Sequence, residues 1–388
     1  MCRGFVSRGT AHAALKKADV VVSGNFTTGI VEHAYIEPEA GFAEVKNGRL
    51  EIHACTQAPV MDLESLESIL AMHRSKIRIV PTAVGGGFGS KLDLSVQPFL
   101  ALAALKTHKP VRLCYSREES MQSSTKRHPS NIKVTIGADR SGKICGFLFD
   151  GAFDTGAYAS WGPTVANRVP VHASGPYNVN DYQASSRGIY TNNPPSGAFR
   201  GFGVPQSAIA QESMLDELAD KLGLDPLAFR LKNALENGVE TVCGQVFEKG
   251  VGIKACLKAL QPAWIEERQK ATEANKSSAV LKYGVGIGVG WYGCGNTSLP
   301  NPSTIKAGIF PDGGIRLHQG AMDIGQGSNT VISQIFARAL GIPVSDIQLI
   351  GPDTDITPDA GKTSASRQTF VSGNAARLAG ERLRRQIT

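Results

Sequence analysis

Four short loops hold the residues with the most chemical potential. The first is Gly85-Gly86-Gly87-Phe88-Gly89-Ser90-Lys91, set between the apolar run Ile77–Val84 and the Ala/Leu-rich stretch Val96–Thr107. Successive glycines let backbone N–H groups approach an anion or an oxo ligand closely. A phosphate loop requires Gly-x-x-x-x-Gly-Lys-Ser/Thr; here Lys91 is followed by Leu92, so that motif fails. A tight strand-to-helix turn explains the cluster equally well.

The second loop, Ala198-Phe199-Arg200-Gly201-Phe202-Gly203, follows Asn192-Asn193-Pro194-Pro195. Its glycines around Phe202 suit an exposed ring over a flat substrate. A buried Phe turning a corner is the plainer alternative. The third, Met322-Asp323-Ile324-Gly325-Gln326-Gly327, puts a side-chain amide between two glycines before a helix. Gln326 offers donors and an acceptor and could read a pterin edge, or it could belong to an ordinary helix-opening turn. The fourth, Gly361–Thr369, is dense in hydroxyls and opens the last helix. Such a start suits a phosphate or pterin, or is only a set of caps. The run Gly288-Val289-Gly290-Trp291-Tyr292-Gly293 has dinucleotide-loop spacing, but Asn296 and Pro300 follow with no clear helix, so that site is rejected.

Elements on either side must position these loops. Hairpins are predicted at Ala43–Val45 with Leu50–Ala54 around Asn47-Gly48, at Ile132–Ile136 with Ile144–Phe149, and at Ile305–Phe310 with Ile315–His318. A strand is predicted at Val20–Phe26. Helices are predicted over Asp62–His73, Val96–Thr107, Gln206–Leu222, from Asp225-Pro226 to near Gly238, over Asn329–Leu340, and from Ala375 onward. The polar stretch Glu266–Ser278 reads as a linker. The chain is expected to be α+β, with a first lobe over 20–262, a linker over 263–280 and the start of a second lobe over 281–388.

Bulk properties narrow the classes. The chain has 388 residues, 41% hydrophobic and 19% charged, an ordinary globular balance. No apolar run is long enough for a membrane span, and the start MCRGFVSRGT has no apolar signal core. The formal charge is +7, but the densest basic clusters are only Lys126-Arg127-His128 and Arg382, Arg384, Arg385. Without interleaved aromatics these read as a solvated face or a surface for acidic partner subunits, not as a nucleic-acid platform. Seven widely spaced Cys without a Cys-x-x-Cys pair argue against disulfides, zinc or iron–sulfur ligation in this chain, and fit a cytoplasmic compartment.

The order of the motifs says more than any one of them. Glu32-His33-Ala34-Tyr35-Ile36-Glu37-Pro38, GGGFGSK, Arg168-x-x-x-His172 before Tyr177, TNNPPSGAFRGFG, DPLAFRLKNAL, DIGQG and SASRQT follow one another along the chain. From about Val20 on, this series resembles the molybdenum-binding subunit of the xanthine dehydrogenase and aldehyde oxidoreductase family. The resemblance implies the molybdopterin-binding lobes of that family. It implies a molybdenum ion held by a pterin dithiolene, as the plain pterin or its cytosine dinucleotide. It also implies hydroxylation of an electron-poor carbon with a glutamate as general base, and electrons leaving through iron–sulfur and FAD partner subunits, often in a dimeric assembly.

Carried over by position, Phe88 and Arg200 lie at the metal. Gly87, Phe88, Gly89, Arg200, Gln326, Ala365, Ser366, Gln368 and Thr369 bind the cofactor, and Arg168, Phe202 and Leu92 line the substrate. Two positions depart from the family. Leu92 stands where xanthine enzymes often have a carboxylate, and Val31 where many members have a glutamine near the metal. Arg168 points to a purine or related N-heterocycle, with an aldehyde as the alternative. The catalytic glutamate of the family lies in a Gly-x-Gly-Glu motif beyond the segment that ends this chain, and the family's domain before Glu32-His33 is also expected to be missing. The expectation is therefore a gene fragment, a frameshifted copy or one half of a split subunit, inactive alone, with a non-catalytic remnant as a further alternative.

Overall fold

The computed structural model describes residues 2–277, 280–295 and 300–388. In chain order the strands and helices are β1 (Arg3–Arg8), α1 (Ala11–Lys17), β2 (Val20–Thr28), β3 (Ala40–Lys46), β4 (Arg49–Ala54), α2 (Pro59–Leu70), β5 (Ile77–Pro81), α3 (Gln97–Thr107), β6 (Val111–Cys114) and α4 (Arg117–Ser123). There follow β7 (Ser130–Ala138), β8 (Ile144–Gly156), α5 (Gly162–His172), β9 (Tyr182–Tyr190), α6 (Val204–Lys221), α7 (Pro226–Asn233) and α8 (Ile253–Ser277). The last are β10 (Ile305–Ile309), β11 (Ile315–Gln319), α9 (Ser328–Leu340), β12 (Ile347–Ile350) and α10 (Gln368–Ile387). The α+β class holds, and all three expected hairpins form.

The chain folds into two compact units. The first takes the residues up to Ile30, His128–Ser196 and Gly201–Tyr292. Its sheet has the order β1-β9-β8-β7-β2. Strand β7 alternates buried Ile132, Val134 and Ile136 with outward polar residues, as a half-covered strand should. Its covering helices include α5, which no expectation foresaw and which carries Arg168. Helix α7 starts as the sequence predicts: Asp225 accepts from the N–H groups of Leu227 and Ala228, each at 3.0 Å, with Pro226 in the first turn. It ends at Asn233, short of Gly238.

The expected linker is different. Glu266–Ser277 lies within α8, while Ser278 is outside the described residues. Asp225 explains the attachment, because its second oxygen accepts from the Trp264 indole at 2.9 Å and from Arg268 at 2.6 Å. Leu257 and Trp264 pack with Leu227. A helix with one packed stripe and a charged remainder looks like a polar spacer in sequence.

The second unit takes Val31–Arg127, Gly197–Arg200 and Gly293–Thr388, so neither unit is one continuous stretch. It holds a sheet of order β5-β4-β3-β6 against α2 and α3, with Ile52, Ile79 and Leu100 fully buried. It also holds the sheet β10-β11-β12, packed on α9 and α10 through Leu317, Ile332 and Phe336. Helix α10 begins at Gln368, seven residues before Ala375, and so opens within the fourth loop. No helix of the described residues is long and apolar enough to cross a membrane.

Candidate functional site

The glycine loop is built between β5 and a short 3-10 turn at Ser90–Leu92 in the second unit. Beneath it, Glu37 accepts from the Gly85 N–H and from the Lys91 ammonium, both at 2.7 Å. Lys91 is almost fully buried, its ammonium 4.6 Å from the centre of the Tyr35 ring. The loop is therefore braced by an ion pair at its foot. Phe88 is 44% exposed and holds left-handed backbone, with φ at 51°. A bulky residue in that region is strained by roughly 1–3 kcal/mol, which fits a functional loop better than a plain turn. Gly89 requires its glycine: φ is 117°, and a Cβ would lie 2.4 Å from the Ala198 carbonyl oxygen.

Gln57, which carries no motif in the sequence, joins this loop to the fourth. Its Oε1 accepts from the Gly89 N–H at 3.0 Å, and its Nε2 donates to the Thr363 carbonyl at 2.7 Å. Its backbone carbonyl accepts from the Thr363 N–H at 2.9 Å. The third loop joins the same cluster, since Gly86 N–H donates to the Ile324 carbonyl at 3.2 Å and the Thr363 hydroxyl to the Met322 carbonyl at 2.8 Å.

The segment Gly197–Arg200 belongs to this unit too. The Arg200 N–H donates to the Phe88 carbonyl at 2.9 Å, and the Arg200 carbonyl accepts from Arg127 at 2.7 Å. Phe199 is clamped between the His33 ring at 3.9 Å and the Arg127 guanidinium at 3.9 Å. His33 Nε2 lies 2.8 Å from the Ala198 carbonyl, so that nitrogen carries the proton. Burial lowers the His33 pKa from 6.5 to about 4, which keeps the ring neutral.

In the third loop Gln326 is exposed, and its amide turns back on its own loop. It accepts from the Ile324 N–H at 2.6 Å and donates to the Met322 carbonyl and the Ser328 hydroxyl, each at 3.1 Å. Asp323, not foreseen, caps α9 by accepting from the N–H groups of Gly325 and Asn329 at 3.0 Å. In the fourth loop Ala365 and Ser366 hold left-handed backbone, at φ of 52° and 56°. Gln368 is buried on the Thr363 hydroxyl at 3.0 Å, whereas Thr369 is exposed. Arg367 fastens the loop by donating to the carbonyls of Ala360 and Pro302, both at 2.6 Å. The Ser364 hydroxyl oxygen is buried without a hydrogen-bond partner among the described residues, an arrangement that favours a ligand able to complete it.

The expected substrate residues divide. Leu92 is buried in the second unit, next to the glycine loop. Arg168 and Phe202 meet in the first unit. The Arg168 guanidinium lies 5.7 Å from the Phe202 ring centre and 4.8 Å from that of Tyr292. Tyr292 comes from the run rejected as a dinucleotide loop, and 280–295 indeed has no strand or helix. The neighbouring Trp291 indole donates to the His172 carbonyl at 3.0 Å, which fixes that segment on α5. Burial raises the Tyr292 pKa above its ordinary value and lowers that of His172 to about 4.

Two expectations change. Phe202 is 5% exposed, not an exposed ring, because its left-handed backbone at φ 42° turns it inward against Trp161. Lys126-Arg127-His128 is no solvated face: Lys126 and His128 are buried, and Lys126 pairs with Glu32 at 2.6 Å. Phe88 and Arg200, expected at the metal, bring a ring and a guanidinium, the Arg200 N–H being taken by the Phe88 carbonyl. Donors suit the oxygen or sulfur ligands of a metal, not the cation itself.

Three loops, two of them with left-handed non-glycine residues, are fastened together in the second unit and form a candidate binding site. Residues 2–234 match the molybdopterin cofactor-binding domain, residues 258–388 match a second domain of the same description, and the chain belongs to this family. It is 43% identical over 266 residues to the nicotinate dehydrogenase large molybdopterin subunit of Eubacterium barkeri, covering 68% of this chain and 61% of that one. It is 34% identical over 387 residues to the xanthine dehydrogenase molybdenum-binding subunit of Escherichia coli O157:H7, covering 98% of this chain and 51% of that one. Among solved structures, aldehyde oxidoreductase from Desulfovibrio gigas superposes with a TM-score of 0.92 at 31% identity, covering 98% of this chain and 42% of that one. The chain thus spans about half the length of the curated relatives it matches.

Proposed function

We propose that this chain is the cofactor-cradling part of a molybdenum hydroxylase that oxidises a flat N-heterocycle. The carrying observation is the mutual fastening of three loops in the second unit through Gln57, Thr363 and Gly86. The fit to a pterin rests on the buried Ser364 hydroxyl, which has no hydrogen-bond partner among the described residues. Gly87, Phe88, Gly89, Arg200, Gln326, Ala365, Ser366, Gln368 and Thr369 are the residues proposed to hold it. Bound there, the molybdenum–pterin group supplies the two-electron oxidising chemistry, which no side chain provides.

What the protein supplies is orientation and charge. The glycine loop is fixed before any ligand arrives, with its Gly85, Gly86 and Gly89 N–H groups donating to Glu37, Ile324 and Gln57, so the loop itself needs no reorganisation. In the first unit, Phe202 and Tyr292 present aromatic faces to Arg168, and the guanidinium is proposed to orient a carbonyl or carboxylate of the heterocycle. No residue of this chain is assigned as general base. Iron–sulfur and FAD subunits, and a dimeric assembly, are the proposed partners. An aldehyde remains the second reading, favoured by the apolar, buried Leu92 beside the glycine loop.

The test uses the full protein containing this chain, purified from a host that makes the cofactor. Molybdenum and pterin should approach one per chain. With an artificial electron acceptor, kcat/KM for nicotinate or xanthine should exceed that for benzaldehyde by about tenfold or more. A reversed ratio selects the aldehyde reading. A well-folded protein without pterin overturns the proposal.

A further inference from the structure

We infer that Gln57 is a positioning residue that holds the glycine loop and the 361–369 loop at the separation a single bound pterin requires; the inference rests on the function proposed above. Gln57 sits on the link between β4 and α2 and is 2% exposed. Its amide works in both senses at once, accepting from Gly89 N–H at 3.0 Å and donating to the Thr363 carbonyl at 2.7 Å. Its backbone repeats the arrangement, donating to the Lys91 carbonyl at 2.8 Å and accepting from the Thr363 N–H at 2.9 Å. Both loops are therefore tied to one residue twice.

The chemistry demands glutamine. Glutamate keeps the acceptor for Gly89 but sets a carboxylate oxygen against the Thr363 carbonyl. Methionine fills the volume with neither bond. Asparagine is one methylene short. Gly87 completes the argument, since a Cβ there would fall 2.4 Å from Gln57 Oε1. No positive φ is needed at Gly87, so the absent side chain serves to leave room for the amide. Behind Gln57, Gln97 Nε2 donates to the Cys55 carbonyl at 3.3 Å and to Asp62 at 3.1 Å, which steadies the backbone that carries the amide.

The experiment compares the full protein with Gln57→Glu, Gln57→Met, Gln57→Ala, Gly87→Ala and the double variant Gly87→Ala/Gln57→Ala, all made in a cofactor-producing host. Molybdenum and pterin per chain, the rate of pterin release after dilution, and circular dichroism are measured. Gln57→Glu and Gln57→Met should release pterin about 10–100-fold faster with unchanged secondary structure, the range for residues that support a metal centre from outside its ligands. Gly87→Ala should lose pterin by displacing the amide, and should add little further loss once residue 57 is alanine. Additive losses would show that Gly87→Ala does not act through the amide, and a pterin loss matched by lost circular dichroism would make the glutamine merely structural. Either overturns the inference, and the first comparison still decides if Gln57→Met folds poorly. A loaded wild type beside variants that hold pterin equally well overturns this inference alone. A wild type without pterin overturns the functional reading and this inference with it.

Discussion

The guanidinium of Arg168 rests 4.8 Å from the centre of the Tyr292 ring, 124 positions further along the chain. A cation held on an aromatic face in a desolvated site gains about 2 kcal/mol and keeps one orientation. Replacing Tyr292 by Leu should therefore raise KM for a carboxylated or carbonyl-bearing heterocycle by about tenfold while changing kcat less, with aldehyde kinetics little altered. Equal effects on both substrate types in steady-state assays would remove Tyr292 from substrate orientation.

Gly89→Ala should loosen the glycine loop. The methyl group meets the Ala198 carbonyl oxygen at 2.4 Å, and the backbone stays at φ 117°. A destabilisation of about 1–3 kcal/mol is expected, visible as a lower melting temperature and lower molybdenum content. A variant as stable as the wild type would show that the loop relaxes freely.

The Lys91–Glu37 pair should be asymmetric. The Lys91 side chain is 1% exposed and that of Glu37 is 29% exposed. Glu37→Gln strands a buried cation, and a loss of about 3 kcal/mol or more is expected. Lys91→Met strands a carboxylate that reaches water, so its loss should be smaller. Urea denaturation of both variants measures the order, and equal losses would contradict it.

Acid should act through His33. Its pKa falls from the ordinary histidine value of 6.5, which the unfolded chain keeps, to about 4 when the fold buries it. Below 6.5 the unfolded chain takes a proton that the folded chain refuses. The contribution is thus intact above 6.5 and is lost as pH falls toward 4, by roughly 2 kcal/mol at pH 5. Asp62, raised by burial to about 7, has the opposite sign: its contribution is present below its ordinary range and fades as pH rises through about 7. His33→Gln keeps a donor for Ala198 and leaves Asp62 unchanged. Between pH 7 and pH 5 the wild type should lose about 2 kcal/mol more than this variant, measured by thermal or urea unfolding.

Much of the scaffold was legible because its signals are local. The Asn47-Gly48 turn, the Asp225-Pro226 helix start and the helix over Asn329–Leu340 each depend on signals within a few residues, and the structure has all three. Glycine loops were legible for the same reason: closely spaced glycines mark backbone that must go where a Cβ cannot. Helix α5 was not, because Gly162 and Pro170 are poor helix formers, and packing on β1, β9, β8 and α6 sustains it.

By itself, the sequence determined the order of the glycine-rich and hydroxyl-rich loops, the caps and turns that open the elements beside them, and so the family. Only the tertiary structure decided which residues hold those loops together. Gln57 finds its amide partners 32 and 306 positions away, and His33 finds Ala198 165 positions away. Neither residue differs from an ordinary polar side chain until the fold buries it. Burial then removes water as a competitor, and each such group must find its partner in the protein.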